Sequence, residues 1–187
     1  MIIGQHKRDI NVVPYRSGWK ELYEQEANLL RSTLGEKALL IEHIGSTSIP
    51  GMTAKPIIDI IVAVVSLIEA TELIPMLEAL GYEYKTRDTV PERMFFVKER
   101  TPEYRTHHLN ITQQDSGFWV NQIAFRDYLR VHEQAAAEYG DLKVHLAKVY
   151  THTREIDRDG KTEFVDRVLE LAMAEERESK VTGEIPR

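Results

Sequence analysis

Asp59 is the one acid in an otherwise apolar run, Ile57-Ile58-Asp59-Ile60-Ile61-Val62. A carboxylate buried among such side chains is strongly disfavoured unless something pairs with it. A divalent cation is one such partner, and Lys55 is another. Twelve residues upstream the chain reads His43-Ile-Gly45-Ser46-Thr47-Ser48 directly after a second apolar run, Ala38 to Ile41. A glycine-serine turn leaving a strand presents backbone N–H groups and hydroxyls to an anion and lets a phosphate approach the main chain closely. Gly45, Ser46 and Thr47 are therefore candidate phosphate contacts, with Asp59 as candidate Mg²⁺ ligand and Lys55 as candidate charge neutraliser. The plainer alternatives are an ordinary turn and an Asp59–Lys55 ion pair.

Further candidates lie downstream. His107-His108-Leu109-Asn110 has strand character, so His108 and Asn110 share one face and His107 the other. His108 and Asn110 could complete a metal or sugar site beside Asp59, or stabilise an edge strand by hydrogen bonding. The two adjacent histidines cannot chelate one ion from opposite faces. Arg93 opens Arg93-Met-Phe-Phe-Val-Lys98, where a guanidinium could clamp a phosphate bidentately. Arg126 and Arg130 fall one helical turn apart; Arg130 reads as a solvated residue and Arg126 as a candidate ligand contact. His43 reads as a structural histidine, and Lys143 and Lys161 as surface lysines.

Composition narrows the partners. The formal charge of −6 over 187 residues argues against broad nucleic-acid binding, which rests on basic surface. It leaves room for a nucleotide or other phosphorylated small molecule, which needs only a local cationic cluster. The absence of cysteine excludes disulfides, thiolate metal sites and cysteine nucleophiles. No apolar run approaches the roughly 20 residues needed to cross a bilayer, and the first residues have the wrong charge order for a signal peptide. A cytoplasmic protein without membrane contact is expected.

The elements that must position these groups follow from periodicity. Trp19, Leu22, Tyr23, Glu26, Leu29, Leu30 and Leu34 repeat at helical spacing after Ser17, and Gly35 supplies a stop. Strands are predicted over residues 38–44 and 57–65, with a helix at 67–80 interrupted near Pro75. Shorter strands follow at 82–86, 93–98 and 105–111, the last two joined across a proline-containing turn at 99–104. Helices are predicted over 117–132, 134–152 and 161–178. The order predicts an α+β domain over residues 12–178, a mixed β-sheet flanked by helices with a helical C-terminal cap, and flexible termini at 1–11 and 179–187.

Several of these stretches together resemble the GrpB family: Val13-Pro-Tyr15 with Trp19, Glu42-His-Ile-Gly-Ser-Thr-Ser-Ile-Pro-Gly51, Ala54-Lys-Pro-Ile-Ile-Asp-Ile60, Leu80-Gly-Tyr82, Arg93-Met-Phe-Phe96, His107-His-Leu109, Phe125-Arg-Asp-Tyr-Leu129 and Tyr139 to Lys143. The resemblance runs from about residue 12 to 174 and implies a nucleotidyltransferase-like fold, with a glycine-serine motif and an acid on the next strand. It implies Mg²⁺-dependent nucleotidyl or phosphoryl transfer to a small acceptor, or the binding of a phosphorylated ligand without chemistry. GrpB-like domains also occur fused to dephospho-CoA kinases, which points toward nucleotide or cofactor metabolism. The wider superfamily pairs two acids two residues apart, whereas Asp59 is followed by Ile61; where relatives often read His-Leu-His, this chain reads His108-Leu109-Asn110.

Overall fold

The computed structural model describes residues 3–6, 9, 11–88, 90–149 and 160–182. Six strands form one mixed sheet: β1 Gln5–His6, β2 Leu40–Ile44, β3 Ile58–Val64, β4 Tyr82–Tyr84, β5 Met94–Thr101 and β6 Tyr104–Gln113. The order across it is β2-β3-β6-β5-β4, with β1 on the first residues of β6. β3 and β6 are parallel, and every other pair is antiparallel. β3 is central and covered on both faces, which is why it reads as a nearly unbroken apolar run.

Helix α1, Gly18–Leu34, buries Trp19, Tyr23, Ala27, Leu30 and Leu34 on one side. These pack with Ile58, Ile60, Val62, Leu109, Ile111 and Phe96 in the main core. Each such aliphatic side chain contributes about 1.5–3 kcal/mol on full burial. Ser17 occupies the expected cap position, but its hydroxyl makes no capping bond; Gly35 ends the helix at φ 56°. A 3₁₀ turn over Glu69–Leu73 leads into α2, Ile74–Ala79, where Pro75 occupies the first turn, the one helical position that tolerates it.

The opposite face of the sheet, carrying Ile44, Ile61 and Ala63, lies under Trp119 of α3, Gly117–Val131. Ser116 caps α3 by accepting from the Trp119 N–H at 3.2 Å. Helices α4, Glu133–Val149, and α5, Thr162–Thr182, follow. Ile49 and Met52 of the β2–β3 connection, Leu129 of α3, and Phe164 and Val168 of α5 form a separate apolar cluster. This cluster ties the helical cap to the glycine-serine turn.

Some boundaries differ from the sequence reading. Gln5 and His6 lie on the sheet rather than in a loose arm, pairing with Arg105 and Tyr104. The β5–β6 hairpin is longer, because Pro102 and Glu103, the latter at φ 74°, close it in two residues. Helix α5 runs to Thr182, beyond residue 178. Residues 150–152, the predicted end of the preceding helix, lie outside the described residues.

Candidate functional site

The glycine-serine turn follows β2 directly, and its shape is set by Asp59. Ile44 pairs with Asp59 across β2 and β3, so the next residue, Gly45, crosses above the carboxylate. Gly45 adopts φ 68° and ψ −178°, a backbone region essentially reserved for glycine. A Cβ there would stand 2.5 Å from Asp59 Oδ2. The turn is then clamped from inside. Thr47 Oγ1 donates to the Ile57 carbonyl at 3.2 Å and lies 3.0 Å from His43 Nε2. Ser48 Oγ donates to the Gly45 carbonyl at 2.6 Å. Thr47 is thus a buried brace of the loop.

Asp59 meets His108 across the parallel β3–β6 pair, with His108 Nδ1 2.9 Å from Asp59 Oδ1. Both residues line a cavity of about 620 Å³, together with Gln5, Lys55, Tyr139 and Lys161. A smaller hollow of about 180 Å³ lies over Gly45 and Ser46 and shares Tyr139 and Val165 with the larger one as walls. Asp59 and Ser46 thus line two adjoining compartments, bounded by the β2–β3 turn and by α4 and α5.

Lys143 is the residue that sequence reasoning missed. It is 5% exposed, and its ammonium donates to Ser46 Oγ at 2.8 Å and to the Thr53 carbonyl. The ammonium also sits 4.7 Å from the centre of the Tyr139 ring. Burial, then the charges of Lys161 and Lys55, lower its pKa from 10.5 to about 7, against the opposing pull of Asp59. Neither Lys143 nor Lys161 is an ordinary surface lysine: one is buried on the turn and the other lines the cavity. The available signal was spacing, since Tyr139, Lys143 and Leu146 recur at i, i+4 and i+7 on the inward face of α4.

The remaining candidates make other contacts. Arg93 donates to Asn110 Oδ1 at 3.0 Å and to the Asp88 carbonyl at 2.6 Å, with its guanidinium over the rings of Phe95 and Phe118. Asn110 in turn donates to the Ile60 carbonyl at 3.2 Å. Both lie beside the cavity but do not line it. Arg126 donates to Glu42 Oε2 at 2.6 Å, to the His43 carbonyl at 3.1 Å and to both carboxylate oxygens of Asp127. It forms part of the wall of the smaller hollow while holding the edge strand. Arg130 binds the Ser48 carbonyl at 3.1 Å rather than standing only in solvent. His43 and His107 are structural: burial lowers the pKa of each to about 4, and His43 stacks on Tyr23.

Ile61 shares the Asp59 face of β3, as strand alternation requires, and is wholly buried in the cluster that includes Trp119. The place of a second acid is therefore filled by core. Among the described residues no group of three or more histidine, aspartate or glutamate side chains is disposed to hold a metal ion. Also among the described residues, no helix is long and apolar enough to cross a membrane.

A mixed sheet packed with helices, a glycine-serine turn after one strand and a single acid on the next define an α+β protein. The GrpB protein family model matches residues 9–171, and the chain belongs to that family. It is 37% identical over 183 residues to a UPF0157 protein of Pseudomonas aeruginosa, covering 95% of this chain and 74% of that protein. It is 33% identical over 171 residues to the glutamate-rich protein GrpB of Alkalihalophilus pseudofirmus, covering 90% and 98% of the two chains. The crystal structure of GrpB from Enterococcus faecalis superposes with a TM-score of 0.80 at 36% identity, covering 88% of this chain and 98% of that one.

Proposed function

We propose that this chain binds a phosphorylated small molecule, of which a nucleotide is the best fit, in the paired cavities between the β2–β3 turn and helices α4 and α5. One observation carries the reading: the ammonium of buried Lys143 is held on the Ser46 hydroxyl in the electrostatic reach of Lys55 and Lys161. Lys55 and Lys161 line the adjoining cavity and act electrostatically on Lys143, a local cationic cluster in a chain of net charge −6 that suits an anion. An incoming phosphate would take the Ser46 hydroxyl, the exposed part of the turn and the lysine charges. A cytoplasmic location, expected from the sequence, suits such a ligand.

Transfer chemistry is the second reading, favoured by the Asp59–His108 pair at 2.9 Å inside the larger cavity. The residues do not fit a two-metal centre, because Ile61 closes the second acid's position and Asp59 Oδ1 already meets the imidazole. A single Mg²⁺ does fit, since that ion commonly uses one or two carboxylates and completes its shell with water and phosphate oxygens. Asp59 would hold it, and the ion would neutralise phosphate charge. Lys55 and Lys143 then orient the phosphate, and His108 holds the Asp59 carboxylate in place.

Calorimetry and thermal unfolding with pyrophosphate, tripolyphosphate, ATP and UTP, each with and without Mg²⁺, test both readings. The binding reading expects stabilisation that survives removal of Mg²⁺, about 2.7 kcal/mol at a hundredfold excess over the dissociation constant. Absence of any interaction with all four probes overturns it. Stabilisation that requires Mg²⁺ and is lost in Asp59→Asn favours the transfer reading instead.

A further inference from the structure

The first strand contributes a group to this cavity that the anion reading leaves unused. Gln5 is 5% exposed and lines the larger cavity with Lys55, Asp59 and His108. Its Nε2 donates to the Asp9 carbonyl at 3.1 Å, which fixes the carboxamide's orientation and leaves Oε1 as an acceptor. Oε1 is buried and has no hydrogen-bond partner among the described residues. An orphaned buried acceptor is costly, so its persistence next to a cavity points to a donor that arrives from outside.

The strand is fixed there by several independent contacts. The Gly4 N–H donates to the Pro56 carbonyl at 2.6 Å, in the loop that leads to Asp59. Gly4 has φ 104°, and a Cβ on it would stand 2.7 Å from the Tyr104 ring and 2.9 Å from the Arg105 carbonyl. Only a glycine allows β1 to lie this close to β6, and that closeness carries Gln5 to the cavity wall.

We propose that Gln5 is a specificity-determining ligand contact, whose Oε1 accepts a hydrogen bond from an N–H or O–H of the ligand's non-phosphate part. The inference rests on the anion-binding reading and refines it. The lysines would hold phosphate, which any polyphosphate offers, whereas a neutral carboxamide acceptor responds to the N–H and O–H donors of a base and sugar, which a bare polyphosphate lacks. The ligand class is then a nucleoside phosphate rather than a bare polyphosphate.

Binding of tripolyphosphate, ATP and UTP to the wild type, Gln5→Met and Gln5→Ala, with the melting temperature of each ligand-free protein, tests this. Wild-type protein should bind at least one nucleotide more tightly than tripolyphosphate. Both variants should lose about tenfold in affinity for that nucleotide while holding tripolyphosphate as before. The ligand-free Gln5→Met protein should melt no more than slightly below wild type, because the change also removes the orphaned oxygen. Equal loss for all three probes, unchanged nucleotide affinity, no wild-type preference for a nucleotide, or failure of both variants to fold would each overturn the proposal. If wild type binds tripolyphosphate but the variants behave as wild type, the anion site stands and only the Gln5 role falls. If it binds no probe, both readings fall together.

Discussion

The Lys143 ammonium lies 2.8 Å from the Ser46 hydroxyl, joining the middle of α4 to the turn that precedes β3. A buried lysine in this position costs the free protein stability whenever it is charged, and an anion of the kind proposed would offset that cost. Its pKa, lowered by burial to about 7, falls below the ordinary 10.5. Between those values the unfolded chain binds more protons than the folded one, so stability rises with pH across that window. Lys143→Met should flatten this rise in pH-dependent denaturation. An unchanged slope would place the lysine's titration elsewhere.

On the anion-binding proposal, the same lysine should set the pH dependence of binding. An anion favours the charged ammonium, so ligand binding takes up a proton when pH exceeds about 7. Affinity for pyrophosphate should fall as pH rises above that value. Calorimetry in buffers of different ionisation enthalpy should register the proton uptake. Lys143→Met should weaken binding and abolish the uptake.

Gly45 and Gly51 give a paired test of the turn. Gly45→Ala combines a backbone region closed to alanine with a Cβ 2.5 Å from Asp59 Oδ2 and should cost about 2–4 kcal/mol in urea unfolding. Gly51, at φ 77°, has nothing within 4 Å of an added Cβ, so Gly51→Ala should cost only the backbone term, about 1–2 kcal/mol. Equal losses at the two positions would mean that contact with Asp59 does not matter.

Asp59→Asn preserves an acceptor for His108 and should change stability by no more than about 1 kcal/mol. If Mg²⁺ accompanies the ligand, the variant should lose the part of nucleotide affinity that depends on Mg²⁺ and keep the rest. Ile61→Asp, by contrast, should not create a second metal ligand. It places a carboxylate in a fully buried cluster with Trp119 and should cost more than about 4 kcal/mol, whereas Ile61→Val should cost about 0.5–1.5 kcal/mol. A folded Ile61→Asp protein that binds Mg²⁺ would reverse this view of β3.

What the chain discloses before folding depends on how local each signal is. The Asp59 run and the turn at Gly45 were legible because both lie within one β-β unit, where alternation and apolar runs fix faces and register. The Asp59–His108 pairing was partly legible: the faces followed from alternation, but parallel adjacency of β3 and β6 is a matter of topology. Lys143 was not legible as a site residue, because a lysine on an amphipathic helix looks solvated until the partner of that helix is known. Gln5 was hidden for a related reason, since a two-residue strand carries no periodicity and its docking depends on the close approach at Gly4. Arg93 and Arg126 have residue types suited to phosphate, yet the structure gives them internal carbonyl and side-chain partners.

The span of the site contacts has a kinetic consequence. Asp59 meets His108 across 49 positions, and Ser46 meets Lys143 across 97. Contacts so far apart in the chain bear a large loop-closure entropy and form late, after the local hairpins. During synthesis, the emerging polypeptide lacks the Ser46–Lys143 contact, and with it the proposed anion site, until α4 has left the ribosome and closed over the turn. A ligand at the proposed site would therefore recognise only the completed fold, and its presence should slow the opening of α4 from the sheet far more than it speeds the chain's collapse.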